Sequence, residues 1–198
     1  MGAPKKYERT DLLDRAIELF RRQGFNGTST ADLATELGVN RKSMYAEFGS
    51  KQGLFEAALE RYETNNLTRV LATLEGPNAG IEAIKAAFAG YAGASASRFN
   101  GLGCLMCNTA VERAALEPGS ARFVRAYFER LQRAFEHALT NAQKHGHLRS
   151  GTSIPEVASL LVTTLIGFAA SLRAKAPAEQ MWASSRVLDS FLDGLAQA

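Results

Sequence analysis

Apolar residues recur along this chain at the three- and four-residue spacing of amphipathic helices. No segment alternates apolar and polar residues as a half-buried β-strand does, and glycine and proline separate the helical segments. The periodicity predicts long helices over residues 7–23, 51–74, 81–97, 105–115, 120–144, 153–175 and 178–196, with two short helices between Ser29 and Gly49. We therefore expect an all-α protein.

The two short helices have the layout of a helix-turn-helix. Ser29 is a suitable N-cap for the first of them, and Asp32 stands where it can complete a variant capping box. Gly38 favours a left-handed helix end and a tight turn, after which Asn40 can cap the second helix. In this motif the N-terminal residues of the second helix enter the major groove of DNA.

Positive charge at helix starts is the strongest functional indication in the sequence. Arg41 and Lys42 follow the cap Asn40, and Lys51 follows the cap Ser50. Cations are unfavourable there because unpaired N–H groups already make a helix start positive. A phosphate backbone would compensate, since phosphates bind helix N-termini and pair with Arg and Lys. An ordinary helical hairpin with a solvated basic face is the alternative.

The segment 24–55 resembles the DNA-binding domain of TetR-family transcriptional regulators. The resemblance is carried by the Gly38-Val39 turn, the Tyr45-x-x-Phe48 spacing and the Ser50-Lys51 helix start in one register. It implies a homodimeric, all-helical, ligand-responsive repressor whose partner is a double-stranded DNA operator. The predicted DNA-binding residues are Thr28, Ser29, Thr30, Asn40, Arg41, Lys42, Ser43, Tyr45 and Lys51.

The resemblance also implies which residues contact bases and which contact phosphates. Arg41, Lys42 and Ser43 match the base-contacting positions, whereas the helix starts at 28–29 and at Lys51, together with Tyr45, match phosphate contacts. Two residues depart from the family pattern. Glu47 stands where His or Tyr is frequent, and Lys42 stands where a small residue is common.

Composition places the chain among globular proteins but does not by itself indicate a nucleic-acid partner. It has 198 residues, 46% hydrophobic and 22% charged, with a net charge of +3. The first 51 residues hold nine Lys/Arg and seven Asp/Glu, a modest excess. No uninterrupted apolar run is long enough for a membrane span, and the start lacks a secretory h-region. We expect no membrane association, a cytoplasmic protein with reduced cysteines, and domains at residues 1–50 and 51–198.

The last two predicted helices carry apolar stripes broader than one core requires, which favours a helical partner. The resemblance implies that they pair across a two-fold axis, and such an axis doubles the few bases that one short recognition helix contacts. Burial within one protomer is the alternative. The predicted dimer interface comprises Val157, Leu161, Thr164, Leu165, Phe168, Trp182, Leu188, Phe191 and Leu192.

The central helices combine aromatic residues with glycine and alanine, a composition that leaves room for an apolar pocket between helices. The resemblance implies that this region holds a small-molecule effector, which we expect to be apolar or aromatic. Plain core packing is the alternative for any single aromatic residue. The predicted ligand-binding residues are Phe88, Tyr91, Phe99, Cys104, Met106, Cys107, Tyr127, Phe128 and Phe168.

Cys104 and Cys107 have the C-x-x-C spacing, for which three interpretations are open. They are small buried hydrophobes, a redox or electrophile-sensing pair, or zinc ligands together with His145 and His147. The zinc site is disfavoured because the histidine spacing is unusual and no second C-x-x-C exists.

Enzyme motifs are missing from the sequence. It contains no P-loop, G-x-S-x-G or H-E-x-x-H motif, so we expect no catalytic residue, metal or cofactor. The second functional hypothesis is a thiol-based redox or ligand-carrier protein in which the N-terminal hairpin is only a scaffold.

Overall fold

The computed structural model describes residues 7–112 and 118–195, and within them the chain is helical with no β-strand. This confirms the predicted all-α class. The helices are α1 (Arg9–Gln23), α2 (Thr30–Leu37), α3 (Arg41–Phe48), α4 (Lys51–Tyr62), α5 (Thr68–Glu75), α6 (Ile81–Ala94), α7 (Leu105–Glu112), α8 (Pro118–Lys144), α9 (Ile154–Arg173) and α10 (Ala178–Gly194).

Three phenylalanines form the core of the N-terminal part. The Phe55 ring lies edge-on to Phe20, with centroids 4.8 Å apart, and to Phe25, with centroids 4.9 Å apart. Edge-to-face aromatic pairs are favourable beyond the apolar area that they bury. Because Phe55 belongs to α4, the first half of α4 packs against α1 and joins the core of the helix-turn-helix, although the sequence-based domain boundary stands at residue 50.

A π-helical turn, Glu63–Leu67, interrupts the helix that the periodicity predicts as continuous from 51 to 74. The Thr64 hydroxyl donates to the Glu60 carbonyl at 2.9 Å, and the Thr68 hydroxyl donates to the Glu63 carbonyl at 3.3 Å. These bonds supply extra partners to carbonyls around the turn. Single π-turns are frequent at functional sites, and this one lies where α4 passes from the N-terminal core to the C-terminal helices.

A second aromatic cluster holds the C-terminal helices together. Phe88 of α6 stacks on Phe135 of α8 at 6.1 Å and meets Phe168 of α9 edge-on at 5.2 Å. On the outer side, Arg130 of α8 forms a bidentate pair with Glu75 of α5, at 2.6 and 2.7 Å. The two clusters are centred in different parts of the chain, and α4 and α7 connect them.

Several predicted helix ends differ from the structure. The first helix begins at Arg9 rather than Tyr7, α6 ends at Ala94 rather than Ser97, and the last helix ends at Gly194. The predicted end of α7 at residue 115 lies outside the described residues.

Two predicted caps also differ. Ser120 lies inside α8 rather than before it, and its buried hydroxyl accepts from the Gln52 amide at 3.2 Å. Ser153 does precede α9, but its side chain makes no cap bond, so the capping box predicted with Glu156 is not formed.

The α9 helix has a high average hydropathy. Its most apolar window has a mean hydropathy of 1.6, so its 20 residues are long and apolar enough to cross a membrane by length and composition alone. Within the protein, 28% of that window is buried. Scattered Ser and Thr residues interrupt it, so α9 contains no uninterrupted apolar run of that length. The core helix of a soluble bundle meets the same criterion, and α9 packs against α6, α7 and α8.

Candidate nucleic-acid interface and effector cavity

Side-chain caps fix the start of α2 and of α3. Ser29 Oγ accepts the Asp32 N–H at 3.1 Å, and the Asp32 carboxylate accepts the Ser29 N–H at 2.9 Å, which forms the predicted capping box. These bonds from Ser29 lower the pKa of Asp32. Asn40 Oδ1 accepts the Ser43 N–H at 2.8 Å. The turn residue Gly38 is left-handed, with φ 66° and ψ 28°, as predicted.

The start of α4 is capped in the same way. Ser50 Oγ accepts the Gly53 N–H at 3.0 Å. No reciprocal bond completes this box because Gly53 has no side chain. Three consecutive helices therefore begin at positions fixed by local hydrogen bonds.

The outer face of α3 carries exposed cations. Arg41 and Lys42 are exposed, and Tyr45 beside them is 40% exposed, whereas Met44 is buried and anchors the helix. Among the described residues, no carboxylate lies within ion-pair distance of Arg41 or Lys42. The positive charges of Arg41 and Lys42, added to the positive helix start, are therefore not offset by a carboxylate among the described residues. Both side chains are available to an external anion.

The other predicted contact residues flank α3. Ser29 and Asn40 are exposed, while Thr30 and Ser43 are half-buried at the starts of their helices. Lys51 opens α4, and its ammonium lies 4.1 Å from the centre of the Phe25 ring.

Thr28 requires a correction. Its side chain is fully buried, and its hydroxyl donates to the Gly24 carbonyl at 2.6 Å. The hydroxyl fixes the turn between α1 and α2, so it is not exposed to a phosphate.

Glu47, the unusual acidic residue of α3, has a partner from α1. Its carboxylate lies 3.5 Å from Arg9 Nε, and the Arg9 guanidinium also covers the Phe48 ring at 5.2 Å. The negative charge of Glu47 is thus offset inside the protein, beside the cations of α3.

A cavity of about 470 Å³ opens where α1, the π-turn and α6 meet. Tyr91 and Phe99, both predicted ligand-binding residues, line it. The remaining lining residues are Arg21, Tyr62, Asn66, Ala87, Gly90, Ala94, Gly103 and Leu172. Three of these, Arg21, Tyr62 and Asn66, come from segments that the sequence analysis did not connect with a ligand, because only the fold brings α1 and the π-turn to α6.

The other predicted ligand-binding residues do not border this cavity. Phe88, Met106 and Phe168 are buried in the aromatic core, and Phe128 is half-buried beside Tyr127 on α8. Burial raises the pKa of Tyr127, whose hydroxyl is hydrogen-bonded to Tyr91. Aromatic composition alone did not distinguish side chains that fill the core from side chains that line a cavity.

The α7 helix is tied to the N-terminal helices at both ends. At its start, Arg21 of α1 donates through Nε and Nη2 to the Gly103 carbonyl, at 3.1 and 2.5 Å. At its end, the Glu112 carboxylate accepts the N–H groups of Phe25 and Asn26, at 2.9 and 2.6 Å. Gly24 permits this approach, because a Cβ there would lie 2.7 Å from the carboxylate.

The two cysteines lie at the start of α7. Cys104 precedes its first turn, both thiols are reduced, and Cys104 and Cys107 are 1% and 5% exposed. A hydrogen bond from the Cys107 thiol lowers the pKa of Cys104 to about 6, aided by the helix-start N–H groups and Tyr62. The same bond and burial raise the pKa of Cys107. Tyr62, which is hydrogen-bonded to Cys104, and Gly103, which precedes it, both line the cavity.

No metal-binding cluster of three or more His, Cys, Asp or Glu side chains occurs in residues 7–112 and 118–195. His145 and His147 are exposed and stack on each other at 6.1 Å, after the end of α8. They do not join the buried thiols in a shared site.

The predicted dimer residues divide into two groups. Buried inside the protomer are Leu161, Leu165, Phe168, Leu188 and Leu192. Val157 and Thr164 of α9 are half-buried, whereas Trp182 and Phe191 of α10 are 39% and 37% exposed.

Two exposed apolar residues lie beside the second group and were not in the predicted set. Leu160 is 47% exposed one turn from Thr164, and Val187 is 71% exposed one turn from Phe191. Helical periodicity predicts the apolar faces of α9 and α10. It does not distinguish the residues of each face that fill the core from those that remain exposed to solvent.

The fold and these sites define a DNA-binding protein with an N-terminal helix-turn-helix and a C-terminal helical domain. Residues 12–58 match the family described as bacterial regulatory proteins, tetR family, and residues 80–187 match the tetracyclin repressor-like C-terminal domain. The chain belongs to the TetR family of transcriptional regulators. It is a DNA-binding transcriptional regulator and not an enzyme.

Similar proteins include regulators from two bacteria. The uncharacterized HTH-type transcriptional regulator YezE of Bacillus subtilis is 34% identical over 75% of this chain and 76% of its own length. The HTH-type transcriptional repressor ComR of Escherichia coli is 29% identical over 91% of this chain and 86% of its own length.

A solved structure of the TetR family regulator CifR has the same fold. It is a cysteine mutant complexed with 26bp double-strand operator DNA, and it is 24% identical with a TM-score of 0.84 over 95% of this chain and 98% of that one. At this identity the similarity shows the fold alone.

Proposed function

We propose that this protein is a homodimeric repressor that binds a near-palindromic operator and leaves it when an effector occupies the C-terminal domain. The observation that carries the DNA-binding part is the capped start of α3, where Arg41 and Lys42 are exposed without an ion-pair partner among the described residues. Arg and Lys favour the guanine edge in the major groove, so we assign base contacts to the start of α3.

Phosphate contacts complete this interface. We assign them to Ser29, Thr30, Tyr45 and Lys51, which flank α3, and the buried hydroxyl of Thr28 is left out. The similar repressor ComR supports a repressor, and the CifR complex shows that a protein of this fold can bind duplex operator DNA. Because the protein acts on DNA, we place it in the cytoplasm.

A homodimer is supported by the exposed apolar residues of α9 and α10. The candidate contacts are Val157, Leu160, Thr164, Val187 and Phe191, since the other predicted residues fill the protomer's own core or, like Trp182, lie toward α6. Two-fold symmetry would present two α3 helices to successive major grooves, about 34–36 Å apart.

An effector in the cavity is supported by the ties of α7. The cavity borders Arg21 and Gly103, and α7 holds the turn after α1 through Glu112. An effector that favours a different position of α7 would change the spacing of the two α3 helices. Such release requires different affinities for the two states. A covalent electrophile at Cys104 is the second candidate, favoured by the lowered pKa of that thiol.

Two substitutions test the proposed interface on sites selected from a random DNA pool. Arg41→Ala should cost about 1–3 kcal/mol at particular base pairs, whereas Lys51→Ala should weaken binding to all sequences and lower the salt slope by about one. Binding is measured by fluorescence anisotropy over a range of salt concentrations. Equal losses on every sequence for Arg41→Ala would refute the base contact, and no binding to any duplex at low salt would refute the proposed function.

A further inference from the structure

The cavity contains one charged side chain among the described residues that line it. Arg21 is that residue, and the rest of the lining is aromatic, aliphatic or amide. Its guanidinium carbon lies 5.7 Å from the centre of the Tyr62 ring and 5.9 Å from that of Phe99. The cavity thus places a cation beside two aromatic faces.

Arg21 has no carboxylate partner within ion-pair distance among residues 7–112 and 118–195. Its described hydrogen bonds go from Nε and Nη2 to the Gly103 carbonyl, and none uses Nη1. A guanidinium can bind a carboxylate through two parallel N–H···O bonds, which are about twice as strong as neutral hydrogen bonds. Arg21 therefore has donors to offer an anion in the cavity.

Two more arginines surround the loop between α6 and α7. The Arg98 guanidinium lies over the Phe99 ring at 4.9 Å, and Arg173 Nη1 donates to the Gly101 carbonyl at 3.5 Å. Burial and the charge of Arg21 lower the pKa of Arg173, while Glu112 opposes this. Arg21 and the partly buried Arg173 are near enough to repel each other, and an added anion would offset that repulsion.

We propose that the effector of this cavity is an organic anion with a planar apolar body, typified by an aryl carboxylate. The proposal depends on the proposed effector-controlled function and specifies the chemistry of its ligand. The carboxylate pairs with Arg21, the Asn66 amide adds a polar contact, and the ring lies among Tyr91, Phe99 and Leu172. A volume of about 470 Å³ accommodates a ligand of one or two rings.

The same pairing explains how binding of the ligand would affect the DNA-binding helices. A carboxylate bound through Nη1 and Nη2 shares Nη2 with the Gly103 carbonyl and weakens that bond. Arg21 belongs to α1 and Gly103 precedes α7, so the weaker bond loosens one of the two ties that hold α7 to the N-terminal helices. The effector thereby acts on the element that links the two halves of the protein.

The experiment uses matched acid and amide probes, benzoate with benzamide and naphthoate with naphthamide, on the full chain. Binding is measured by calorimetry, and release of DNA is measured by anisotropy in the same buffers. We expect at least one acid to bind about tenfold tighter than its amide. Arg21→Gln should abolish that preference, and Arg21→Lys, which keeps the charge without the fork, should retain part of it. Arg22→Gln is the control, because Arg22 is the neighbouring α1 cation and pairs with Glu36 at 2.9 Å.

The possible outcomes distinguish the anion site from the effector-controlled release of DNA. Amides that bind as tightly as the acids, a preference that survives in Arg21→Gln, or no acid binding at millimolar concentration would each overturn the anion assignment. An acid that binds through Arg21 without releasing DNA would leave the anion site standing and refute the proposed effector-controlled release.

Discussion

The helix-turn-helix and the cavity proposed to hold an effector are built by different means. At the helix-turn-helix, Ser29, Asn40 and Ser50 each cap a helix through an amide three residues later, and cations directly follow Asn40 and Ser50. The cavity instead gathers α1, the π-turn and α6, which are far apart in the chain. A site fixed by local hydrogen bonds depends little on distant contacts, whereas a site built from long-range packing can respond when that packing changes.

The largest expected effect separates core aromatics from cavity aromatics. Phe88 is fully buried against Phe135 and Phe168, so Phe88→Ala should lower the free energy of unfolding by about 3–5 kcal/mol. Phe99 is 37% exposed, and Phe99→Ala should change it by less than about 1 kcal/mol. Denaturant unfolding measures both variants. Similar losses for the two variants would contradict the division between core and cavity.

An intermediate effect is expected at the tie between the two regions. Glu112→Gln removes the charge that accepts two N–H groups at 2.9 and 2.6 Å and leaves one amide oxygen for them. We expect a loss of about 1–3 kcal/mol in unfolding free energy, together with weaker DNA binding. Glu129→Gln is the control, because Glu129 is exposed on α8 and has no hydrogen-bond or ion-pair partner among the described residues. If Glu112→Gln leaves both the unfolding free energy and DNA binding unchanged, the hydrogen bonds of Glu112 contribute to neither.

The smallest expected effect concerns the thiols at the start of α7. The thiolate is the reactive form, so the rate of Cys104 alkylation should rise with pH through a midpoint at about 6 and then level off. Cys107→Ala removes the donor that lowers this pKa and should raise the midpoint, while Cys107→Ser keeps a donor and should raise it less. Mass spectrometry follows the alkylated peptide. An equal midpoint in all three proteins would contradict the role of Cys107, and no alkylation of the native protein would exclude electrophile sensing.

The sequence identified the elements of the DNA-binding surface because its determinants are short-range. The caps Ser29, Asn40 and Ser50 and the turn Gly38 each act within four residues, so local chemistry was enough to place them. Thr28 was assigned to the DNA-binding surface because the family resemblance places it at a phosphate-contacting helix start, but its side chain is buried and its hydroxyl is bonded to the Gly24 carbonyl. Whether the exposed residues contact DNA stays a prediction.

The cavity and the open part of the dimer face could not be located from the sequence. Helical periodicity gives the apolar face of α9, but it does not say that Leu161 and Leu165 fill the protomer's core while Leu160 stays open. Aromatic composition and the resemblance gave Tyr91 and Phe99 but not Arg21, which shares the cavity lining with them only in the folded chain.

The sequence by itself determined the helices of the N-terminal part, their turns and the family, because caps, glycine conformation and periodicity are properties of neighbouring residues. The tertiary structure decided where α4 breaks into a π-turn, which aromatics enclose a cavity, and that α7 is held at Gly103 and Glu112. Those features depend on which surfaces remain after the core is filled, and that is set by the packing of residues far apart in the chain, such as Phe25 and Glu112, which are 87 positions apart.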